Sequence, residues 1–284
     1  MERLKPLNDF IFKKLFGEKG DEPVLIAFLN AVLQKTHREE LTSIVIKENT
    51  ELTKELINDK MGRIDVRATT KRGEEIDIEV QIANQNNMDK RTLFYWSKLY
   101  LEGIQKGDDY KTLSKVITIN IVDFEFLDTP SYHSSYHLWE DEEKNYMLTD
   151  LVEIHFIELP KFRRFQNKNY KENSLQRWLA FLETDVSKNM LEELMHMEPA
   201  IRMAEEKLDF LSSDPHTIEL YKARENSAHE KANIYSSGKE QGEKETQFKI
   251  ARALLDILDD EMITLKTGLD IEDVRKLRSG MTNS

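Results

Sequence analysis

The chain has 284 residues, of which 33% are charged and 39% hydrophobic, and carries a net charge of −12. It is long enough for one sizeable globular domain plus a smaller one. With no cysteine, disulfides and thiolate metal sites are excluded, and the acidic balance argues against a surface that is basic all over while leaving room for a local basic patch. No segment approaches the apolar run of a membrane span, and Met1-Glu-Arg-Leu-Lys-Pro6 is not a signal peptide, so a cytoplasmic protein is expected.

In chain order, Asn8 or Asp9 caps a helix-like run, Phe10-Ile-Phe-Lys-Lys-Leu-Phe16, that stops at Gly17. A second helix is expected over Pro23 to Leu33, with proline near its start. Leu41-Thr-Ser-Ile-Val-Ile46 is rich in branched residues and reads as the first strand.

The stretch from Arg63 to Gln81 then alternates with period two. Ile64, Val66 and Ala68 lie on one side of its first arm, and Ile76, Ile78 and Val80 on one side of its second. Lys71-Arg72-Gly73 has the form of a three-residue hairpin loop closed by a left-handed glycine. That turn fixes a register with Thr70 facing Glu74, Arg67 opposite Asp77, Asp65 opposite Glu79 and Arg63 opposite Gln81. Arg67 and Asp77 make a favourable cross-strand pair. Asp65 and Glu79 set like charges face to face, at a cost of about 0.2–1 kcal/mol. Two readings follow from this spacing: a solvated strand face, or a pair of hard oxygen ligands suited to magnesium or manganese rather than zinc.

Met88 to Gln105 reads as an aromatic-rich helix packed on the sheet, and Lys115 to Val122 as a strand that is apolar on both faces. Tyr132 to Trp139 and Val152 to Ile157 alternate like strands and add two more to the sheet. His133 and His137 share a face, which with His155 invites a zinc reading; histidines in strands more commonly serve packing, and no cysteine completes a set. Lys161-Phe-Arg-Arg-Phe-Gln-Asn-Lys-Asn-Tyr-Lys171 holds five cations, no acid and three aromatics. Lys161, Arg163, Arg164, Lys168 and Lys171 are therefore candidate phosphate contacts, the alternative being a linker whose charges are simply solvated. Lys13, Lys14, Lys90, Arg91 and Lys98 extend this strip if their helices flank the hairpin.

From Leu175 onward the pattern is helical. Tyr221 to Glu245 is heavily charged and is expected to break into a linker near Ser236-Ser-Gly238. Ala251 to Leu258, Met262 to Leu265 and Ile271 to Leu277 suggest three short helices with a tight turn at Gly268, in a helix-turn-helix-like layout. Acids mixed into the last helix make packing or dimerisation through its apolar face at least as good a reading as DNA recognition.

Asp65, thirteen residues, then Glu79-Val80-Gln81 resembles the PD-(D/E)XK nuclease signature in the variant with glutamine in place of the terminal lysine. Pro6 to Gly17, Arg91 with Tyr95, Gly107 with Tyr110, Val116 to Ile121 and Glu158 to Phe162 are similar to the recombination-promoting nuclease and transposase group of that superfamily. The resemblance implies an α/β fold, with a restriction-endonuclease-like core of mixed sheet flanked by helices, and an all-helical C-terminal region. It implies a nuclease-like domain over residues 1–165, a helical extension and charged linker over 166–238, and a small helical element over 239–284. It further implies a magnesium-dependent DNA endonuclease, manganese being the other candidate ion. Asp65, Glu79 and the backbone carbonyl of Val80 would be the ligands, and Gln81 would orient the attacking water. Glutamine cannot supply lysine's charge, so Arg91 is the candidate cation and Tyr95 the candidate phosphate-positioning residue. Asp9 is either a helix cap or an acid assisting the metal. DNA is the expected partner, together with an oligomer through the C-terminal helices. The competing reading is a nuclease-fold module that binds DNA or assembles without cutting.

Overall fold

The computed structural model describes residues 3–47, 66–84, 86–143 and 145–281, and the chain divides into two compact units, Met1–Lys222 and Ala223–Ser284. The first unit opens with helices α1 (Asp9–Phe16) and α2 (Glu22–Leu33). Strands β1 (Ile44–Ile46), β2 (Val66–Thr70) and β3 (Glu75–Gln81) follow, then helix α3 (Met88–Glu102) and strands β4 (Val116–Val122), β5 (His133–Trp139) and β6 (Met147–Glu158). Helices α4 (Leu159–Arg164), α5 (Ser174–Leu182), α6 (Lys188–Met197) and α7 (Pro199–Ser213) complete it.

Among the described residues the strands form one mixed six-stranded sheet in the order β1-β2-β3-β4-β6-β5. The central pairs β3/β4 and β4/β6 are parallel and the outer ones antiparallel. A parallel β3/β4 pair needs a long crossover, which α3 supplies. All seven residues of β4 are buried, as its continuous apolar run requires of a strand covered on both faces.

Alternation along the strands builds two different faces. Ile76, Ile78, Ile117, Ile119 and Ile157 join Phe12, Phe16, Phe28 and Trp178 in the main core, so α1, α2 and α5 cover that side. Trp178 is fully buried, with its ring 5.8 Å from Phe16, 5.7 Å from Phe28 and 5.8 Å from Phe181. The opposite face takes α3, through Tyr95 and Leu99 on Val116 and Met88 on Val122. Asn8, rather than Asp9, is the cap of α1 and accepts from the Phe10 and Ile11 N–H groups.

The hairpin register is the one its turn dictates. Val66 pairs with Ile78, Arg67 with Asp77, and Ala68 with Ile76; Thr70 N–H donates to Glu74 O at 2.9 Å and Gly73 N–H to Thr70 O at 3.0 Å. Gly73 has φ +80, and a Cβ there would stand 3.3 Å from Ser114 Oγ. Gly73→Ala is therefore expected to cost about 1–2 kcal/mol, read as a lower urea midpoint at unchanged slope.

The stretch expected to break into a linker does not break. Helix α8 runs continuously over Pro215–Leu254 and includes Ser236-Ser237-Gly238. Two helical glycines cost roughly 1 kcal/mol each, and the surrounding Lys, Glu, Gln and Ala offset them. In the second unit, α9 (Asp260–Thr267) and α10 (Ile271–Met281) follow the end of α8. Ala251, Leu255, Ile263, Leu269 and Val274 form a separate small core. Gly268 (φ +74) caps α9 with its N–H on Thr264 O at 2.8 Å, the tight turn that the sequence indicates. No helix among the described residues is long and apolar enough to cross a membrane.

Candidate functional site

Period-two alternation puts Glu75, Asp77, Glu79 and Gln81 on the β3 face that turns toward α3. Asp77 and Glu79 are 2% and 3% exposed. Hydrogen-bonded to β4, Asp77 stands beside Thr118 and Glu79 beside Asn120. Asp65, the expected cross-strand neighbour of Glu79, lies outside the described residues, as does Arg63.

Glu79 Oε2 accepts from Arg91 Nε at 3.1 Å, while Glu79 Oε1 is buried without a hydrogen-bond partner. Burial pushes the Glu79 carboxyl above its usual range, and the adjacent Arg91 charge and hydrogen bond only partly oppose this. A buried carboxylate oxygen whose lone pairs meet no hydrogen-bond donor is what a hard cation binds, and the donor set on this face is entirely oxygen. Among the described residues no three acids or histidines converge as a complete metal set; the second carboxylate of the expected pair is not among them.

Arg91 comes from the first turns of α3, and its guanidinium lies 5.5 Å from the centroid of the Tyr95 ring one turn on. Tyr95 is 2% exposed and packs on Val116, so its ring supports Arg91 from below. Gln81 turns its amide toward the strand end and donates to Ala83 O at 3.0 Å. Val80 alternates to the other face and packs against the main core. Asp9, in the first turn of α1, accepts the Phe10 N–H at 2.7 Å, and α1 belongs to the layer on the main-core side.

Two features escaped the sequence reading. Arg67, expected to pair with Asp77, sends its guanidinium to Glu75 Oε2 at 3.0 Å and Glu102 Oε2 at 2.7 Å. Thr92 Oγ1 donates to Asn120 Oδ1 at 2.8 Å and Asn120 Nδ2 to His155 O at 3.0 Å. This buried chain pins α3 to β4 beside Glu79, and its visible signal is the asparagine that, with Thr118, interrupts an otherwise apolar strand.

The basic segment is largely compensated by acids. Lys161 is buried, with Nζ 2.5 Å from Glu158 Oε2. Arg163 binds Asp123 and Glu183, and Arg164 binds Glu125. Lys168 Nζ donates to Arg163 O at 2.9 Å and lies 5.0 Å from the Phe162 ring, while Lys171 is exposed. Lys13 and Lys14 ride on α1, across the sheet from Lys90, Arg91 and Lys98; Lys14 pairs with Glu18 at 2.6 Å.

His133, His137 and His155 do share a face, but they gather around Glu153 rather than an open coordination position. Glu153, fully buried, accepts from His155 Nε2 at 2.8 Å and His37 Nε2 at 3.0 Å, pairs with Lys115 Nζ at 2.5 Å and has His137 Nε2 at 3.7 Å. Burial pushes this carboxyl up, but hydrogen bonds from His155, His37, Lys115 and Thr36 outweigh it and hold the group well below the usual carboxylate range. His133 Nε2 lies 2.9 Å from His155 Nδ1, and its own Nδ1 is buried without a partner.

Burial, with the His155 and Lys35 charges, pushes His133 down to about 3, against a contrary pull from Glu153. A base depressed by folding contributes stability above its unfolded value of 6.5 and loses it as pH falls toward 3. Lowering pH from about 7.5 to about 5 should therefore destabilise wild type by on the order of 2 kcal/mol more than His133→Gln, read from urea midpoints.

A family model described as "PD-(D/E)XK nuclease family transposase" matches residues 6–238. No curated protein and no solved structure matches the chain. A mixed six-stranded sheet flanked by helices, carrying a buried acid on β3 and matched by that model over most of its length, is a restriction-endonuclease-like core, and the chain belongs to the PD-(D/E)XK nuclease family of transposases.

Proposed function

We propose that the chain is a magnesium-dependent DNA endonuclease of the recombination-promoting, transposase-like type, with manganese as an alternative ion. The observation that carries this reading is the buried Glu79 carboxylate, whose Oε1 lacks a partner while Oε2 is held by Arg91. Glu79, Asp65 and the Val80 carbonyl would hold the ion. Once bound, such an ion lowers the pKa of water and stabilises charge on the leaving oxygen.

The chain's own residues supply the rest. Arg91 provides the positive charge missing at Gln81 and places it against the carboxylate and the incoming phosphate. Gln81, released from Ala83 O, orients the attacking water. Thr92 and Asn120 fix α3, and therefore Arg91, at the sheet. Asp9, the secondary candidate, sits on α1 on the main-core side of the sheet, and a role at the ion would require it to reach around the sheet from that layer. Lys161, Arg163, Arg164, Lys168 and Lys171 are proposed DNA contacts, and Lys168 and Lys171 bear most of that role because carboxylates engage the other three. The organisation proposed is a nuclease domain over 1–165, a helical extension over 166–238 and an assembly element over 239–284. In that last element, Ile257 and Leu265 are 73% and 75% exposed, a surface suited to pairing copies. The cytoplasm is the proposed compartment.

A DNA-holding module without catalysis is the second reading, favoured by the Gln81 amide being turned onto Ala83 O. Plasmid cleavage with magnesium or manganese decides between them. Wild type should nick and linearise DNA, and Asp65→Ala and Glu79→Ala should not. Retention of DNA with no products under either ion would favour the second reading, and wild-type cutting by either variant would remove this site.

A further inference from the structure

The helix that delivers Arg91 to Glu79 carries more along the same flank. Phe94, Lys98 and Leu101 follow Arg91 at offsets of three, seven and ten residues, which places them along one side of an α-helix. Phe94 is 37% and Leu101 67% exposed, and the Lys98 ammonium lies 4.6 Å from the Phe94 ring centroid. Two ion pairs fix which way this flank faces. Arg91 reaches Glu79 on β3 at one end of the helix, and Glu102 reaches Arg67 on β2 at the other, so the stripe borders the polar face of β3 along its length.

We infer that this flank of α3 is the wall along which a single, unpaired DNA strand runs, with one base stacked on Phe94 and Lys98 on the backbone beside it. The inference rests on the nuclease reading for the phosphate at Glu79 and adds how the strand being cut is held there, unpaired, whether it is a free single strand or one opened locally in a plasmid duplex. Along the helix axis Phe94 lies roughly 4.5 Å and Lys98 roughly 10.5 Å beyond Arg91. That sets the ring next to the reacting phosphate and the ammonium further along the strand.

The chemistry of the stripe selects this occupant. Lysines are depleted from the cores of protein–protein interfaces, whereas cations interleaved with an exposed ring are the pattern that tracks single strands. In a duplex the base faces are stacked inside, so Phe94 can take only a base that is already out of the stack. A cation already resting on the ring keeps both groups near the positions the strand needs.

The test is fluorescence anisotropy on the full chain in EDTA, where cutting is absent, with a labelled single-stranded oligonucleotide and the matching duplex. Phe94→Ala should weaken single-strand binding about tenfold while changing duplex binding by less than about twofold, and Phe94→Trp should restore it. Lys98→Gln should weaken both forms and reduce the salt dependence by about one charge. The inference is overturned if wild type does not bind the single strand, if Phe94→Ala leaves that binding unchanged or weakens both forms alike, or if tryptophan fails to rescue. It is also overturned if Phe94→Ala converts a dimer to a monomer, because the face then pairs two copies. Binding in EDTA is independent of cleavage, so failure of the metal site and failure of this surface give different results.

Discussion

Glu79→Ala protein is expected to cut plasmid DNA at least about a hundredfold more slowly than wild type, because a metal that stabilises several kcal/mol of transition-state charge loses its buried ligand. Lost folding would give the same result, so Glu79→Gln is the sharper variant. Glu79 is an acid whose folded pKa is raised. The fold therefore favours its neutral form, and ionisation costs stability increasingly as pH rises above the unfolded value of 4.5. A neutral amide removes that cost and keeps an oxygen to accept from Arg91. In EDTA at neutral pH, Glu79→Gln should match wild-type stability within about 1 kcal/mol or exceed it. Magnesium at a hundred times its dissociation constant should stabilise wild type by about 2.7 kcal/mol and leave the variant unmoved. A variant that is both unstable in EDTA and stabilised by magnesium would mean that Glu79 is a packing residue.

The second large effect is expected on the far face of the sheet. Glu153→Ala removes the only carboxylate in contact with Lys115, His155 and His37 among the described residues, and leaves buried donors without their acceptor. Breaking a buried charge pair from one side costs about 3–5 kcal/mol, which for a unit of this size lowers the melting midpoint by about 10 °C. Glu153→Gln keeps an acceptor and should lose less. Loss of under about 1 kcal/mol in the alanine variant would show that water replaces the carboxylate and that the cluster is not a staple.

Most of the fold was legible because it is written in local terms. The three-residue turn at Lys71-Arg72-Gly73 admits a single register, so the pairs from Val66/Ile78 to Thr69/Glu75 follow from it. The apolar character of β4 likewise declares that both its faces are covered, whereas the alternation of β6 suggests one covered face and the structure buries Glu153 to Glu158 on both. The long charged helix was misread because glycine and serine marked a break, while its cost is small against many good helix formers.

The candidate site was legible in part. Spacing and resemblance point to Glu79 and Arg91, and the structure brings them within 3.1 Å. Side-chain partners in the third dimension were not readable. The choice of Arg67 for Glu75 and Glu102 depends on where α3 ends, within side-chain reach of β2, and the compensation of Arg163 and Arg164 depends on acids about forty residues earlier and twenty later in the chain. Histidine alternation placed three histidines on one face, but only the burial of Glu153 among them decides that they form a closed polar cluster.

The most direct test of the account is anomalous diffraction from crystals soaked in manganese. One peak is expected at Glu79 Oε1, shared with the Asp65 carboxylate and absent from Glu79→Gln crystals. A manganese peak elsewhere with none at Glu79, or an unchanged peak in the variant, would contradict it.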